Sequence, residues 1–317
     1  MEFFSGIDAV PAEFGPSAVT IGKFDGVHTG HRAVLARLTS LADERGLASV
    51  VVTFDRHPLS LLAPAFCPSS LVSNAQKREL LAASDIDAVL MLTFDQALAD
   101  LEPDDFVRRV LVEALQARLV LAGSDFRFGR KGAGDTAMLR ELGAQHGFEV
   151  VLIDDVRANA AGASERRASS TWVREALEAG HVEEAARVLG RLPTVRSVVV
   201  EGERRGRELG YPTANLDPAR LEGFLPADGV YAAWARVDGQ RYPAAVSIGN
   251  NPTFEGVPQH QAEAHLLDVD LDLYDRTIEL AFVARLRGME RFDGLADLVA
   301  AIRADADAAR RILADGA

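Results

Sequence analysis

The sequence predicts a doubly wound α/β domain followed by a smaller all-β domain with a terminal helix. Three observations carry this. From residue 18 to about 155, continuous apolar runs alternate with segments of helical period. After Pro193, short apolar stretches follow one another between Gly, Pro and Asp turns, and the last segment returns to helical period. A chain of 317 residues exceeds what one hydrophobic core usually serves. The change of texture puts the boundary at 185/186, giving domains 1–185 and 186–317.

In order, the first domain's strand candidates are "AVTIG", "ASVVVTF", "DAVLMLTF", "RLVLAG" and "EVVLID". Helix candidates lie between them at about 30–45, 74–83, 104–116 and 135–146. Strands apolar along both faces need cover on both, which crossover helices between parallel strands supply. The uncharged run near Pro58, with "LLAPAFCPSSLVSNAQ", is broken by prolines and serines and reads as a mobile loop, not a membrane helix. "SSTWVREALEAG" and "HVEEAARVLGRLP" continue as helix. "VRSVVVEG", "GVYAAWARV", "QRYPAAVSIG", "AEAHLLDV" and "TIELAFVARL" then read as strands of a small antiparallel barrel or sandwich, with Asp238-Gly239 marking a hairpin. In "GLADLVAAIRADADAARRIL", Leu295, Leu298, Ile302 and Leu313 recur at helical spacing, so a final helix packs on the barrel.

Composition narrows the function classes. A formal charge of −13 argues against a nucleic-acid surface, which needs clustered Lys and Arg. A phosphate-bearing partner must meet locally positive sites instead. One cysteine, Cys67, excludes a disulfide framework and a Cys-rich zinc site. With no secretory pattern in "MEFFSGIDAV", a cytoplasmic setting is expected.

"GKFDGVHTGH", Gly22–His31, stands where a strand hands over to a helix, at the sheet edge where such domains bind ligands. With the helix starting near Thr29, His28 and His31 project to one side among unpaired backbone N–H groups, and Gly30 lets a phosphate approach. Alone, His-x-x-His equally fits two ordinary solvated residues, and a metal pair lacks a nearby third ligand with obvious spacing. The strand-to-helix context favours a triphosphate attacked at its α-phosphorus, a reaction that needs positioning and charge stabilisation. In "RASSTWVREAL", hydroxyls cap a helix between Arg167 and Arg174, a second phosphate contact. The Gly-rich "GSDFRFGRKGAGD" suits a binding loop. Neither a P-loop nor a dinucleotide fingerprint is present. In "GRELGYPTANL", Thr213 and Asn215 offer oxygens on one side of an extended segment, suited to Mg²⁺ held chiefly by substrate phosphates or to a plain proline turn. In "QAEAHLLDV", Glu263 and His265 share a strand face, as a base near a barrel mouth or as solvated residues.

Together these motifs resemble, in order and across nearly the whole chain, the bifunctional prokaryotic riboflavin kinase/FMN adenylyltransferase family. "GKFDGVHTGH" looks like its G-x-F-D-G-x-H-x-G-H motif, "RASSTWVR" like its R-x-S-S-T-x-x-R motif and "GSDFRFG" like the loop between. "GRELGYPTANL", "DGVYAAW", "IGNNPTF" and "EAHLLDVDLDLY" are similar to its kinase module. The resemblance implies a Rossmann-like nucleotidyltransferase domain joined to a six-stranded riboflavin kinase barrel. Riboflavin and ATP would give FMN and ADP; FMN and a second ATP would give FAD and pyrophosphate; both steps would use Mg²⁺. His28 and His31 would stabilise adenylyl transfer, and Gly22, Phe24, Asp25 and Gly30 would shape the nucleotide site. Arg167, Ser170, Thr171 and Arg174 would hold ATP phosphates, and His57, Asp125 and Gly129 would belong to the FMN-site loops. Thr213 and Asn215 would ligate Mg²⁺, and Glu263 would be the general base. Flavoprotein apoenzymes would receive the FAD. The chain departs from the family at Lys23, usually Asn; at Asp55 and Arg56, before "HP"; and at Ser197, usually Gly.

Overall fold

A computed structural model describes residues 1–154, 157–158, 166–202, 210–249 and 261–315. Its contacts divide the chain into two compact units, Met1–Ala168 and Ser169–Ala317.

The first unit is built on a six-stranded parallel sheet in the order β1-β4-β3-β2-β5-β6. The strands are β1 (Glu2–Ser5), β2 (Ser17–Ile21), β3 (Ala48–Phe54), β4 (Ala88–Leu92), β5 (Ala117–Gly123) and β6 (Glu149–Ile153). β1 pairs with β4 from Glu2↔Ala88 to Ser5↔Met91; at four residues it is too short to show a period in the sequence. Alternate residues serve opposite cores. Val50, Val52, Leu90 and Val120 pack with Val110, Leu111 and Leu139, while Val51, Val89, Leu119 and Leu121 pack with Leu35, Leu38, Leu41 and Leu81. The apolar runs are thus continuous because both faces are covered, as expected for a doubly wound sheet.

The covering helices are α1 (Thr29–Arg45), α2 (Leu59–Leu62), α3 (Asn74–Ala82), α4 (Gln96–Ala99), α5 (Pro103–Phe106) and α6 (Thr136–His146). α1 stops at Gly46, whose left-handed φ of 63° suits a residue without Cβ. α3 starts in a reciprocal capping box between Ser73 and Gln76. The helix expected over 104–116 is α5 running on into a π-helical stretch, Val107–Ala114. The run after Pro58 contains α2 and a 3₁₀ turn, Pro64–Phe66. A two-stranded ribbon, β7 (Arg157–Ala158) and β8 (Arg166–Arg167), completes this unit.

The second unit opens with α7 (Ser170–Glu178) and α8 (Val182–Leu189) and then forms a closed antiparallel barrel, β10-β13-β12-β11-β14-β9. Its strands are β9 (Thr194–Val200), β10 (Ala214–Leu216), β11 (Gly229–Val237), β12 (Gln240–Gly249), β13 (Gln261–Leu266) and β14 (Thr277–Arg287). The division of contacts falls ahead of the 185/186 boundary drawn from texture. The reason is packing: Ala227 N–H donates to Leu177 O at 2.8 Å, and Arg285 Nη1 donates to Ala179 O at 3.3 Å, tying α7 to the barrel.

The last helix, α9 (Leu295–Asp315), lies on the outside of the barrel, with Ala306, Ala309 and Leu313 against Ala232 and Leu267. This explains why "GVYAA" is buried throughout: Tyr231 and Ala233 alternate with Ala232, which α9 covers. Of the four residues read as its apolar stripe, Leu298 and Leu313 are buried, whereas Leu295 is 60% exposed. Arg287 on β14 grips Asp305 on α9 through Nε and Nη2, at 3.0 and 2.8 Å. Ser197, where the family usually has Gly, is buried and donates to Asp217 O at 2.8 Å.

Candidate active site

The first site lies at the carboxyl edge of the parallel sheet, where β2 ends and α1 begins. His28 is the N-cap of α1, and its Nδ1 accepts the His31 backbone N–H at 3.3 Å. The two imidazoles stack with centroids 3.7 Å apart, and Phe24 leans on His31 from 4.9 Å. The backbone is forced here: Phe24 and Val27 take φ of 48° and 38°, a region costly for residues with a Cβ. A Cβ on Gly30 would lie 3.1 Å from the His28 ring and 3.3 Å from Ala168 O, so glycine keeps the helix entrance open. Asp25 is buried and accepts Leu71 N–H at 2.9 Å, which fastens the loop before α3 to the motif.

His31 Nδ1 is buried without a hydrogen-bond partner among the described residues. Burial, then the neighbouring His28, Lys23, Lys77 and Arg167, hold this imidazole well below the ordinary histidine range. It is therefore neutral at pH 7 and sits in a region of positive charge that a bound anion would offset. The unfolded chain takes up a proton at this residue near pH 6.5, whereas the folded chain resists it. Stability should thus fall as pH drops through about 6.5 until folded His31 itself protonates. Urea denaturation at about pH 7.5 and about pH 5.5, either side of the ordinary histidine value, checks this. The loss between the two should be smaller in His31→Asn than in the parent.

The other cations are placed by neighbouring strand ends. Lys23 Nζ stands 3.3 Å from His57 Nε2, just beyond β3, and Thr53 Oγ1 donates to Lys23 O at 3.1 Å. Lys77 is not singled out by the sequence, because a lysine in a helix among other polar residues looks solvated. It is 7% exposed, and its Nζ donates to Phe54 O at 3.0 Å with Asp25 and Asp55 nearby. Burial lowers its pKa and the two carboxylates oppose that. Asp55 also accepts Phe94 N–H at 2.9 Å, and Arg56 pairs with it at 3.2 Å. Arg167 Nη1 donates to Asp125 Oδ2 at 2.8 Å, and that bond holds the Asp125 carboxyl below the usual range. Gly129, with φ of 70°, presses against Pro103; a Cβ would come within 2.8 Å of three of its atoms.

In the second unit, Ser169 caps α7 by accepting Trp172 N–H at 3.2 Å, so Ser170 and Thr171 open the helix, with Arg174 buried one turn on.

On the barrel, Asn215 lies opposite Glu263 between β10 and β13, and Ser247 lies opposite Glu263 on β12. Residues paired this way share a sheet face. Thr213 Oγ1 stands 3.5 Å from Glu263 Oε2, so a hydroxyl and a carboxylate oxygen meet beside the strand pair that carries Asn215. His265 is tied elsewhere, Nδ1 to Pro212 O at 2.8 Å. A cavity of about 400 Å³ opens beside them, lined by Thr213, Asn215, Gly202, Pro212, Leu266 and the segment Val269–Tyr274. The Thr213 hydroxyl and the Asn215 amide oxygen are hard donors at this cavity and suit a divalent cation that takes its remaining ligands from a polyphosphate. Gly206–Leu209 of "GRELGYPTANL" and Asn250–Phe254 of "IGNNPTF" lie outside the described residues.

Among the described residues no helix is long and apolar enough to cross a membrane. The family described as FAD synthetase matches residues 10–167, and that described as riboflavin kinase matches 189–313. The bifunctional riboflavin kinase/FMN adenylyltransferase of Pseudomonas fluorescens is 38% identical over 317 residues, covering 100% of this chain and 99% of that one. The Escherichia coli K12 protein of the same name is 37% identical over 92% of this chain and 91% of its own. A crystal structure described as a macrolide-efflux protein from Streptococcus pneumoniae has a TM-score of 0.82 at 29% identity, covering 97% of this chain and 98% of that one. A parallel sheet with paired histidines at its carboxyl ends, a closed antiparallel barrel and 38% identity over the full length agree, and the chain belongs to the bifunctional riboflavin kinase/FMN adenylyltransferase family.

Proposed function

We infer that this chain makes FAD in two steps, phosphorylating riboflavin with ATP to FMN and then transferring AMP from a second ATP to FMN. The observation that supports the reading is a candidate phosphate site in each unit of a chain 38% identical end to end to a protein described as a bifunctional riboflavin kinase/FMN adenylyltransferase. The region matched as FAD synthetase is assigned the adenylyl transfer, and the barrel the kinase reaction.

In the kinase reaction Glu263 takes the proton of the terminal ribityl hydroxyl as its oxygen bonds to the γ-phosphorus and ADP leaves. Thr213 and Asn215 would hold Mg²⁺ with the triphosphate; when bound, the ion offsets charge on the transferring group. In the adenylyl transfer a phosphate oxygen of FMN bonds to the α-phosphorus of ATP as pyrophosphate leaves. No nucleophile from the protein is required. The α1 terminus, His28 and His31 donate to charge developing on the phosphates, with Gly22, Phe24, Asp25 and Gly30 shaping the pocket. Arg167, Ser170, Thr171 and Arg174 are assigned to ATP phosphates on their R-x-S-S-T-x-x-R sequence, and His57, Asp125 and Gly129 to the loops that take FMN. The single cysteine supports a cytoplasmic setting, with flavoprotein apoenzymes as recipients of the product.

Incubation with riboflavin, ATP and Mg²⁺ should give FMN and then FAD on chromatography. No flavin product, with riboflavin oxidised or reduced, would overturn the reading, and FMN without FAD would restrict it to the kinase. The Mg²⁺ assignment has its own check. A Cβ on Gly202 would fall 2.3 Å from Asn215 Nδ2, so Gly202→Ala must swing that amide away. The Mg²⁺ concentration for half-maximal riboflavin phosphorylation should rise several-fold, with the FMN-to-FAD step unchanged.

A further inference from the structure

Joining FMN to AMP brings two anionic phosphates to bonding distance, so positive charge is needed on the FMN side of the attacked phosphorus as well as the ATP side. On the reading above, which this inference rests on, the α1 terminus with His28 and Gly30 serves ATP. We propose that Lys23 and His57 together bind the 5′-phosphate of FMN and hold its attacking oxygen toward the α-phosphorus.

The hydrogen bonding at His57 supplies the reason. Its Nδ1 accepts the Leu59 backbone N–H at 3.1 Å, so the neutral ring carries its proton on Nε2. That Nε2–H faces Lys23 Nζ across 3.3 Å. An ammonium and an imidazole N–H are both donors, so neither accepts from the other. Two donors held this close can converge on one acceptor, and a phosphate oxygen between them would accept from both.

Position agrees with this. The Lys23 backbone is anchored to Thr53 through its carbonyl, and Phe24 turns inward beside it, so the exposed side chain extends from a fixed root. Its charge is felt by His31 on α1 and by Asp125 beyond β5. One ammonium thus acts over the ends of β2, β3 and β5, between the proposed ATP seat and the FMN loops.

The test uses the full chain with Lys23→Met and Lys23→Arg. In the FMN-to-FAD reaction, Lys23→Met should raise KM for FMN about tenfold or more with KM for ATP within twofold. Lys23→Arg should recover most of the loss, and riboflavin phosphorylation reports that the variants are folded. A raised KM for ATP with that for FMN unchanged would assign the cation to the triphosphate and overturn the proposal, as would no change in either. Calorimetric titration with FMN tests the contact without turnover. A tenfold weaker site in Lys23→Met supports the proposal, and identical isotherms reject it. Failure of the parent to make FAD would instead overturn the broader reading.

Discussion

His28→Ala should lower the rate of FMN-to-FAD conversion by a factor of about 10²–10³, or about 2.7–4 kcal/mol of transition-state stabilisation. Riboflavin phosphorylation in the same preparation should stay within threefold of the parent. The magnitude is that of removing one preorganised donor from a site where charge develops on phosphate oxygens. Alanine also removes the N-cap of α1, since His28 Nδ1 accepts the His31 N–H, at a cost to stability of about 1 kcal/mol. His28→Asn separates the two effects, because its side-chain oxygen can cap the helix but cannot place an imidazole against His31. The asparagine variant should melt close to the parent and still lose the adenylyl transfer. An FMN-to-FAD rate within threefold of the parent in either variant would remove His28 from the chemistry.

Glu263→Gln has the opposite signature. It should slow riboflavin-to-FMN conversion by about a hundredfold, at the lower end of what a positioned base contributes, and leave FMN-to-FAD conversion intact. Glutamine keeps the size and hydrogen-bonding reach of the side chain opposite Asn215, so the loss reports basicity and not packing. The pH profile distinguishes a base from a mere contact: the parent's rate should fall at low pH as the carboxylate protonates, and the variant's residual rate should lose that limb. A threefold change or less would leave positioning, by Thr213, Asn215 and the Mg²⁺ proposed to bind there, as the source of catalysis.

Much of the fold and of the candidate site is legible in the amino-acid order because it is periodic or local. Apolar runs such as "ASVVVTF" and "DAVLML" signal strands covered on both faces, and they form the centre of the parallel sheet. "GKFDGVHTGH" announces a strand-to-helix turn, and His28 is the N-cap. The parallel pairing of Glu2–Ser5 with β4 is not legible, because four residues carry no period. Nor is the attachment of α7 to the barrel, because helical texture is the same whichever neighbour the helix packs on. The apolar stripe expected on α9 holds in part: Leu298 and Leu313 are buried, whereas Leu295, at the start of the helix, is exposed.

Hydrophobic period, turn chemistry and motif spacing are properties of the chain read in one dimension, and they are enough to specify the fold class, the order of the elements and the motifs that carry the candidate site. How those residues act on one another is settled only by folding. Folding brings Lys77 from a polar helix to the end of β3, stacks His31 on His28 with its Nδ1 buried, and sets Lys23 donor to donor against His57. Each of these depends on the distance between segments far apart in the chain, or on which ring nitrogen a backbone N–H has already claimed. Such facts come from packing in three dimensions, and no pattern along the chain encodes them.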